Sequence, residues 1–159
     1  MALELGIKAP EFVGYTDSET KINLSDFRGK WVVLYFYPKD NTSGCTREAC
    51  DFRDNYERIT QYNAEVIGVS PDSIKSHKNF KSKYNLNFHL VADPDKEICK
   101  QYDVLGEKTM YGKKYLGVVR STYIIDPEGV IRYVNPKVNV EGHVDEIIQE
   151  LVKLQGKND

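Results

Sequence analysis

Seven consecutive apolar residues, Trp31-Val32-Val33-Leu34-Tyr35-Phe36-Tyr37, run without a polar interruption until Pro38 stops them. A strand with one face in water alternates polar and apolar side chains, because successive residues point to opposite faces. This run does not alternate. It reads as a central strand buried on both faces, which in turn demands a sheet covered by helices on both sides.

The rest of the chain supplies those helices. Ala49, Phe52, Tyr56, Ile59 and Tyr62 recur at spacings of three and four, so residues 46–62 read as a helix with Cys45 at its entry. Residues 66–69 are a second buried strand. Ser70-Pro71-Asp72 then reads as a helix start, Ser70 capping and Pro71 in the first turn, ahead of a helix through Phe80 and Tyr84. After a strand at His89–Ala92, Asp93-Pro94-Asp95 repeats that signal before a helix with Ile98, Cys99 and Tyr102. Residues 104–117 lack periodicity and read as a surface loop.

Strands at 121–125 and 130–134, joined by Asp126-Pro127-Glu128-Gly129, read as an antiparallel hairpin. The apolar face of Val144, Ile147, Ile148, Leu151, Val152 and Leu154 marks a last helix, with fraying expected over 156–159. At the other end, runs at 12–15 and 20–23 around Thr16-Asp17-Ser18-Glu19 read as an N-terminal β-hairpin. Parallel neighbours need crossovers and antiparallel ones need only turns, so this order predicts a mixed α/β sheet flanked by helices. A thioredoxin-like sandwich fits it.

At 159 residues the chain suits one domain, 1–159, with a core that needs no disulfide staples. Its 22 basic and 24 acidic side chains nearly cancel, so neither nucleic acid nor an anionic membrane is indicated as a partner. The first residues lack a signal peptide's basic flank and apolar run, and no later stretch is apolar enough to span a bilayer. A soluble, cytoplasmic protein is expected. Three cysteines are too few and too unevenly spaced for a secreted disulfide framework, and in a reducing compartment such residues are catalytic or metal-binding more often than structural.

Cys45 lies where the loop after the central strand enters a helix. Unpaired amides and the positive end of the helix dipole favour an anion there, and the thiolate is the nucleophilic form of cysteine. Acidity alone does not make a fast nucleophile, because nucleophilicity falls with pKa. Attack on a peroxide builds negative charge on the departing oxygen, so hydroxyl, amide or guanidinium groups aimed at it would be needed. Thr42 and the amides before Cys45 are placed for that role.

Pro38, Thr42 and Cys45 match the Pro-x-x-x-Thr-x-x-Cys signature of peroxiredoxins. The segment from Tyr35 to Cys50 resembles the subgroup known as bacterioferritin comigratory protein or peroxiredoxin Q. Similarity extends along almost the whole chain, including Met110-Tyr111-Gly112-Lys113-Lys114-Tyr115 and Arg120-Ser121-Thr122. The resemblance implies a peroxidase that needs no bound cofactor. Within it Cys45 is the attacking residue, Thr42 orients peroxide, Pro38 shields the pocket, Arg120 sits beside the thiolate and Glu48 steadies that arginine. Ser43 departs from the proline of many members.

The resemblance also makes Cys50, five residues on, the resolving cysteine that captures the oxidised form in a disulfide. On an intact helix five residues span about 7.5 Å of rise and about 500° of rotation, whereas a disulfide holds Cα atoms about 5.5–6 Å apart. The helix must therefore unwind after oxidation. Thioredoxin or a similar dithiol is the implied reductant, hydrogen peroxide and organic hydroperoxides the implied substrates, and a monomer or weak homodimer the implied state.

Three other readings compete. Cys45 and Cys50 with His77, His89 or His143 could hold zinc, but no second cysteine pair or paired histidine spacing accompanies them. A thiol-disulfide oxidoreductase would need Cys-x-x-Cys, which is absent, and a redox-sensing module would use the same switch without turnover. Cys99 reads as core packing, His77 and His143 as exposed or capping, His89 as a satisfied strand histidine, and the lysines of 78–83 and 108–114 as a solvated face.

Overall fold

The computed structural model describes residues 2–156, so 157–159 of the expected frayed tail lie outside the described residues. The apolar run is strand β3, Trp31–Phe36, and every residue of it is buried. It pairs in parallel with β4, Ala64–Ser70, and antiparallel with β8, Ser121–Ile125. With β1 (Val13–Thr16), β2 (Lys21–Asn23), β5 (His89–Ala92) and β9 (Ile131–Asn135) this makes a seven-stranded mixed sheet in the order β2-β1-β5-β4-β3-β8-β9. The expected N-terminal hairpin is β1 and β2, attached to the sheet edge through β5.

Because side chains alternate along β3, its two faces feed two separate cores. Trp31, Val33 and Tyr35 pack with Ala49 and Phe52 of α1 (Ser43–Asp54), Phe80 of α3 (Ile74–Tyr84) and Ile147 and Leu151 of α5 (His143–Leu154). Val32, Leu34 and Phe36 pack with Phe12, Leu24, Tyr123 and, on α4 (Glu97–Gln101), Ile98 and Cys99. Each fully buried Val, Leu, Ile or Phe contributes roughly 1.5–3 kcal/mol, so helices on both faces are what stabilise an all-apolar strand.

Several elements differ from expectation. The helix read over 46–62 is two helices, α1 and α2 (Tyr56–Thr60), because Asn55 leaves helical geometry and its side-chain amide takes the Asp51 carbonyl at 2.9 Å. Ser70 does not cap α3. It ends β4 and donates its hydroxyl to Asp72 at 2.6 Å, while Ser73, three residues later, accepts from the Ser76 amide. Likewise α4 begins after Lys96, and Asp93 reaches forward to accept the Ile98 and Cys99 amides.

The surface loop expected over 104–117 is instead a hairpin, β6 (Leu105–Met110) and β7 (Lys113–Val118), forming its own two-stranded sheet. Tyr111 and Gly112 turn it with φ of 52° and 76°, the two left-handed residues of a type I′ turn. Most of its side chains are exposed, so no apolar alternation announced it. His77 and His143 are buried, not exposed or capping. His89 is half-buried on β5 and meets Phe27 edge-on.

Candidate active site

The chain leaves the end of β3 as a loop that dips in and out of the protein. Tyr37 is buried, Pro38 half-buried, Lys39 exposed and Asp40 buried again, before Asn41, at φ 64°, turns the backbone into α1. Thr42 precedes the helix in extended conformation, but its hydroxyl does not cap an α1 amide. It donates to the Lys39 carbonyl at 2.8 Å. The amides of residues 43–45 have no partner within the helix, since the first intrahelical bond runs from Thr46 to Thr42. Ser43 is the first helical residue, the place where a proline's preset φ is best tolerated, so its departure from the family pattern leaves the helix start intact.

Cys45, in this first turn, is 1% exposed and packs against the same core as Tyr35 and Phe52. Arg120 reaches it from the segment between β7 and β8. Its Nη2 lies 3.4 Å from the Cys45 sulfur and its Nη1 donates to Glu48 Oε1 at 2.7 Å. A Cβ on Gly44 would come within 3.1 Å of Nη2, so the glycine leaves room for the guanidinium to approach. Burial opposes the charge on Arg120, but the facing Glu48 carboxylate and Cys45 sulfur outweigh it and hold its pKa above the ordinary value.

Glu48 is wholly buried, and its Oε2 has no hydrogen-bond partner. Burial pushes its pKa up to about 7 against the pull of Arg120. Cys50 lies on the same unbroken helix, half-buried, with its thiol pushed up by desolvation, and all three cysteines are free thiols. Cys99 is buried behind Asp93 in the other core, away from these groups.

Sequence reasoning assigned nothing to Lys108, yet the β6 strand brings it within electrostatic reach of Arg120 and Cys45. Burial first, then the Arg120 charge, lowers its pKa. It borders a cleft of about 320 Å³ shared with Pro38, Lys39, Lys96 and Tyr115. His143 was also missed. Its Nε2 pairs with the Thr122 hydroxyl at 2.8 Å, and burial pushes its pKa down to about 4, so the ring is neutral at pH 7. The histidines considered as zinc ligands do not gather at the cysteines. Among the described residues the converging donor set is Asp40, Asp72 and His77, and those atoms are already joined in hydrogen bonds.

Residues 5–134 match the AhpC/TSA family. A putative peroxiredoxin bcp of Coxiella burnetii is 50% identical over 151 residues, 95% of this chain and 100% of that protein. The chain is a peroxiredoxin. Bacillus subtilis peroxiredoxin Bcp is 46% identical over 157 residues, covering 99% and 100% of the two chains. A cysteine variant of Xylella fastidiosa PrxQ superposes with a TM-score of 0.92 at 38% identity, covering 98% and 99%. The bacterioferritin comigratory protein of Xanthomonas campestris, studied for alkyl peroxide reduction, gives 0.84 at 41% identity over 88% and 89%. This peroxiredoxin thus belongs to the Bcp and PrxQ group, has its thioredoxin-like fold, and shares the family's thiol-dependent peroxide reduction.

Proposed function

We propose that Cys45 is the residue oxidised by peroxide and Cys50 the one that resolves it. The observation that carries this is the contact of the Arg120 guanidinium with the Cys45 sulfur, in a helix first turn whose amides are unpaired. The Cys45 thiolate donates an electron pair to one peroxide oxygen. An S–O bond forms, the O–O bond breaks, and the departing oxygen takes a proton to leave as water or an alcohol. Arg120 and the amides of 43–45 supply positive charge where the departing oxygen becomes negative. Because the Thr42 hydroxyl gives its proton to Lys39, its oxygen is free to accept one from the peroxide. Pro38 shields the approach.

The product is a Cys45 sulfenic acid, one oxidation step short of the irreversible sulfinic acid. Attack by the Cys50 thiolate expels its oxygen as water and forms the Cys45–Cys50 disulfide. Both residues sit on α1, so its first turns unwind for this step, exposing the disulfide to thioredoxin or a similar dithiol. Among the described residues no helix is long and apolar enough to cross a membrane, and the reading places the enzyme in the cytoplasm as a monomer or weak homodimer.

The test mixes fully reduced protein with one equivalent of hydrogen peroxide and titrates thiols over seconds, beside free cysteine. Wild type should fall rapidly from three free thiols to one. Cys45→Ser should keep both its thiols, and Cys50→Ser should lose one to a sulfenic acid that persists. Wild type no faster than free cysteine would end the proposal.

A further inference from the structure

Peroxide reduction as proposed requires two adjoining stretches to behave in opposite ways. Residues 38–42 must keep their shape to receive peroxide, while α1, which starts at the next residue, must unwind in every cycle. Thr42 belongs to the fixed stretch yet is exposed, as are Lys39 and Asn41. Something other than α1 has to hold this loop.

Asp40 is the buried point within it, 5% exposed. Its Oδ1 accepts from the Tyr37 hydroxyl at 2.7 Å, and its Oδ2 accepts from the Ser76 hydroxyl at 2.8 Å and meets His77 Nδ1 at 2.7 Å. Its backbone amide donates to Asp72 Oδ2 at 2.8 Å, and Asp72 is itself held by Ser70. The far side of the His77 ring faces the Val91 carbonyl at 3.0 Å, and that carbonyl can only accept. Nε2 therefore carries a proton. Nδ1 faces the Asp40 carboxyl at 2.7 Å, so the ring is held at both of its nitrogens. The side chains of Asp40 and His77 are 1% and 0% exposed, where such a bond is shielded from water.

These partners come from the end of β3, the end of β4, α3 and β5. None lies on α1, so unwinding that helix breaks no bond of the network. We infer that the Asp40–His77 pair is the fixed anchor of the peroxide-binding loop, and that both are positioning residues acting through Thr42. The inference rests on the proposed roles of Cys45 and Cys50. It assigns to Asp40 and His77 the task of ending the conformational change at the N-terminal edge of α1. A loop that drifted by an ångström would misplace the Thr42 hydroxyl and the adjoining amides, and displacements of that size cost up to about 100-fold in rate.

The test separates the two chemical steps by rapid mixing with hydrogen peroxide: a peroxide-dependent oxidation, then a peroxide-independent disulfide step. Asp40→Asn and His77→Gln should slow the first on the order of 10- to 100-fold and leave the second unchanged. His77→Asn, whose amide nitrogen falls where Nδ1 was, should recover most of the rate. His77→Gln, whose nitrogen falls where Nε2 was, should not. Ser76→Ala, which removes one hydroxyl bond to Asp40 and little else, should give a smaller loss should the larger changes impair folding. A readout independent of activity is hydrogen exchange at the Asp40 amide in the disulfide form: protected in wild type while residues 45–50 exchange freely, and unprotected in His77→Gln.

Oxidation rates equal to wild type in folded variants, or loss of Asp40 amide protection in oxidised wild type, would overturn the anchor. A wild type no faster than free cysteine would instead overturn the proposed function. The Asp40 exchange measurement distinguishes these failures, because it requires only that the disulfide be formed, with any oxidant.

Discussion

Glu48 is pulled two ways. Arg120 favours its ionised form, and complete burial with one oxygen unpaired favours the protonated one; burial wins, raising its pKa from 4.5 to about 7. A carboxyl that holds its proton more tightly in the folded state stabilises the fold fully below its unfolded pKa. That contribution is lost as pH rises from about 4.5 through about 7, amounting to about 3 kcal/mol at most. Denaturant unfolding of reduced wild type and Glu48→Gln should therefore diverge, the variant gaining on wild type between pH 5 and pH 8. A constant difference would refute the shift. His143, with its pKa pushed down to about 4, works in the opposite sense as pH falls below 6.5, and cancels in the comparison. Tyr35 offers a second test, since its buried hydroxyl has no hydrogen-bond partner. Tyr35→Phe removes an unsatisfied group while keeping the ring stacked on Phe52, and should raise stability by about 1 kcal/mol in the same assay.

Among the elements, the β6–β7 hairpin is the most separable. It forms its own sheet, its tip residue Tyr111 is 97% exposed, and Glu107 pairs directly with Leu116. Replacing residues 107–116 with Asn-Gly should close a two-residue type I′ turn at the next pair, Gly106 with Gly117, which like Met110 with Lys113 falls on a hydrogen-bonded rung of the ladder. The excised side chains are mostly exposed and bury little apolar surface, so the thermal midpoint should hardly move. A large drop would mean that Lys108 or Tyr115 props the main sheet. The same exposure explains why the hairpin was invisible in the sequence: most of its side chains meet solvent, so neither strand needs alternating apolar residues. α1 was legible for the opposite reason, since Ala49 and Phe52 must both reach one core. Its break at Asn55 was not, because α2 carries the same apolar rhythm onward.

For the molecule as a whole, what the sequence revealed was what is local or repeated. The apolar run at 31–37 announced the centre of the sheet, and the spacing of Pro38, Thr42 and Cys45 announced the family, all from one loop and one helix start. What it concealed depends on distant pairings. His77 meets Asp40 across 37 positions, and Glu48 meets Arg120 across 72, a partnership reached only through family resemblance. Lys108 enters the site because an unforeseen hairpin delivers it, and burial of His77 and His143 follows from helix packing that no local pattern encodes.

The interruption at Asn55 also bears on durability. α2 is tied to β4 independently of α1, through Ile59 in the core and the Tyr56 hydroxyl on Glu65 at 2.7 Å. The unwinding proposed to begin at Cys45 would therefore meet a boundary after Asp54, with the part of the sheet beneath α2 still covered. A single continuous helix would have transmitted fraying towards Tyr62 and bared sticky surface at every oxidation. On the proposed mechanism, the division in two confines the apolar surface bared by oxidation to the ground beneath α1.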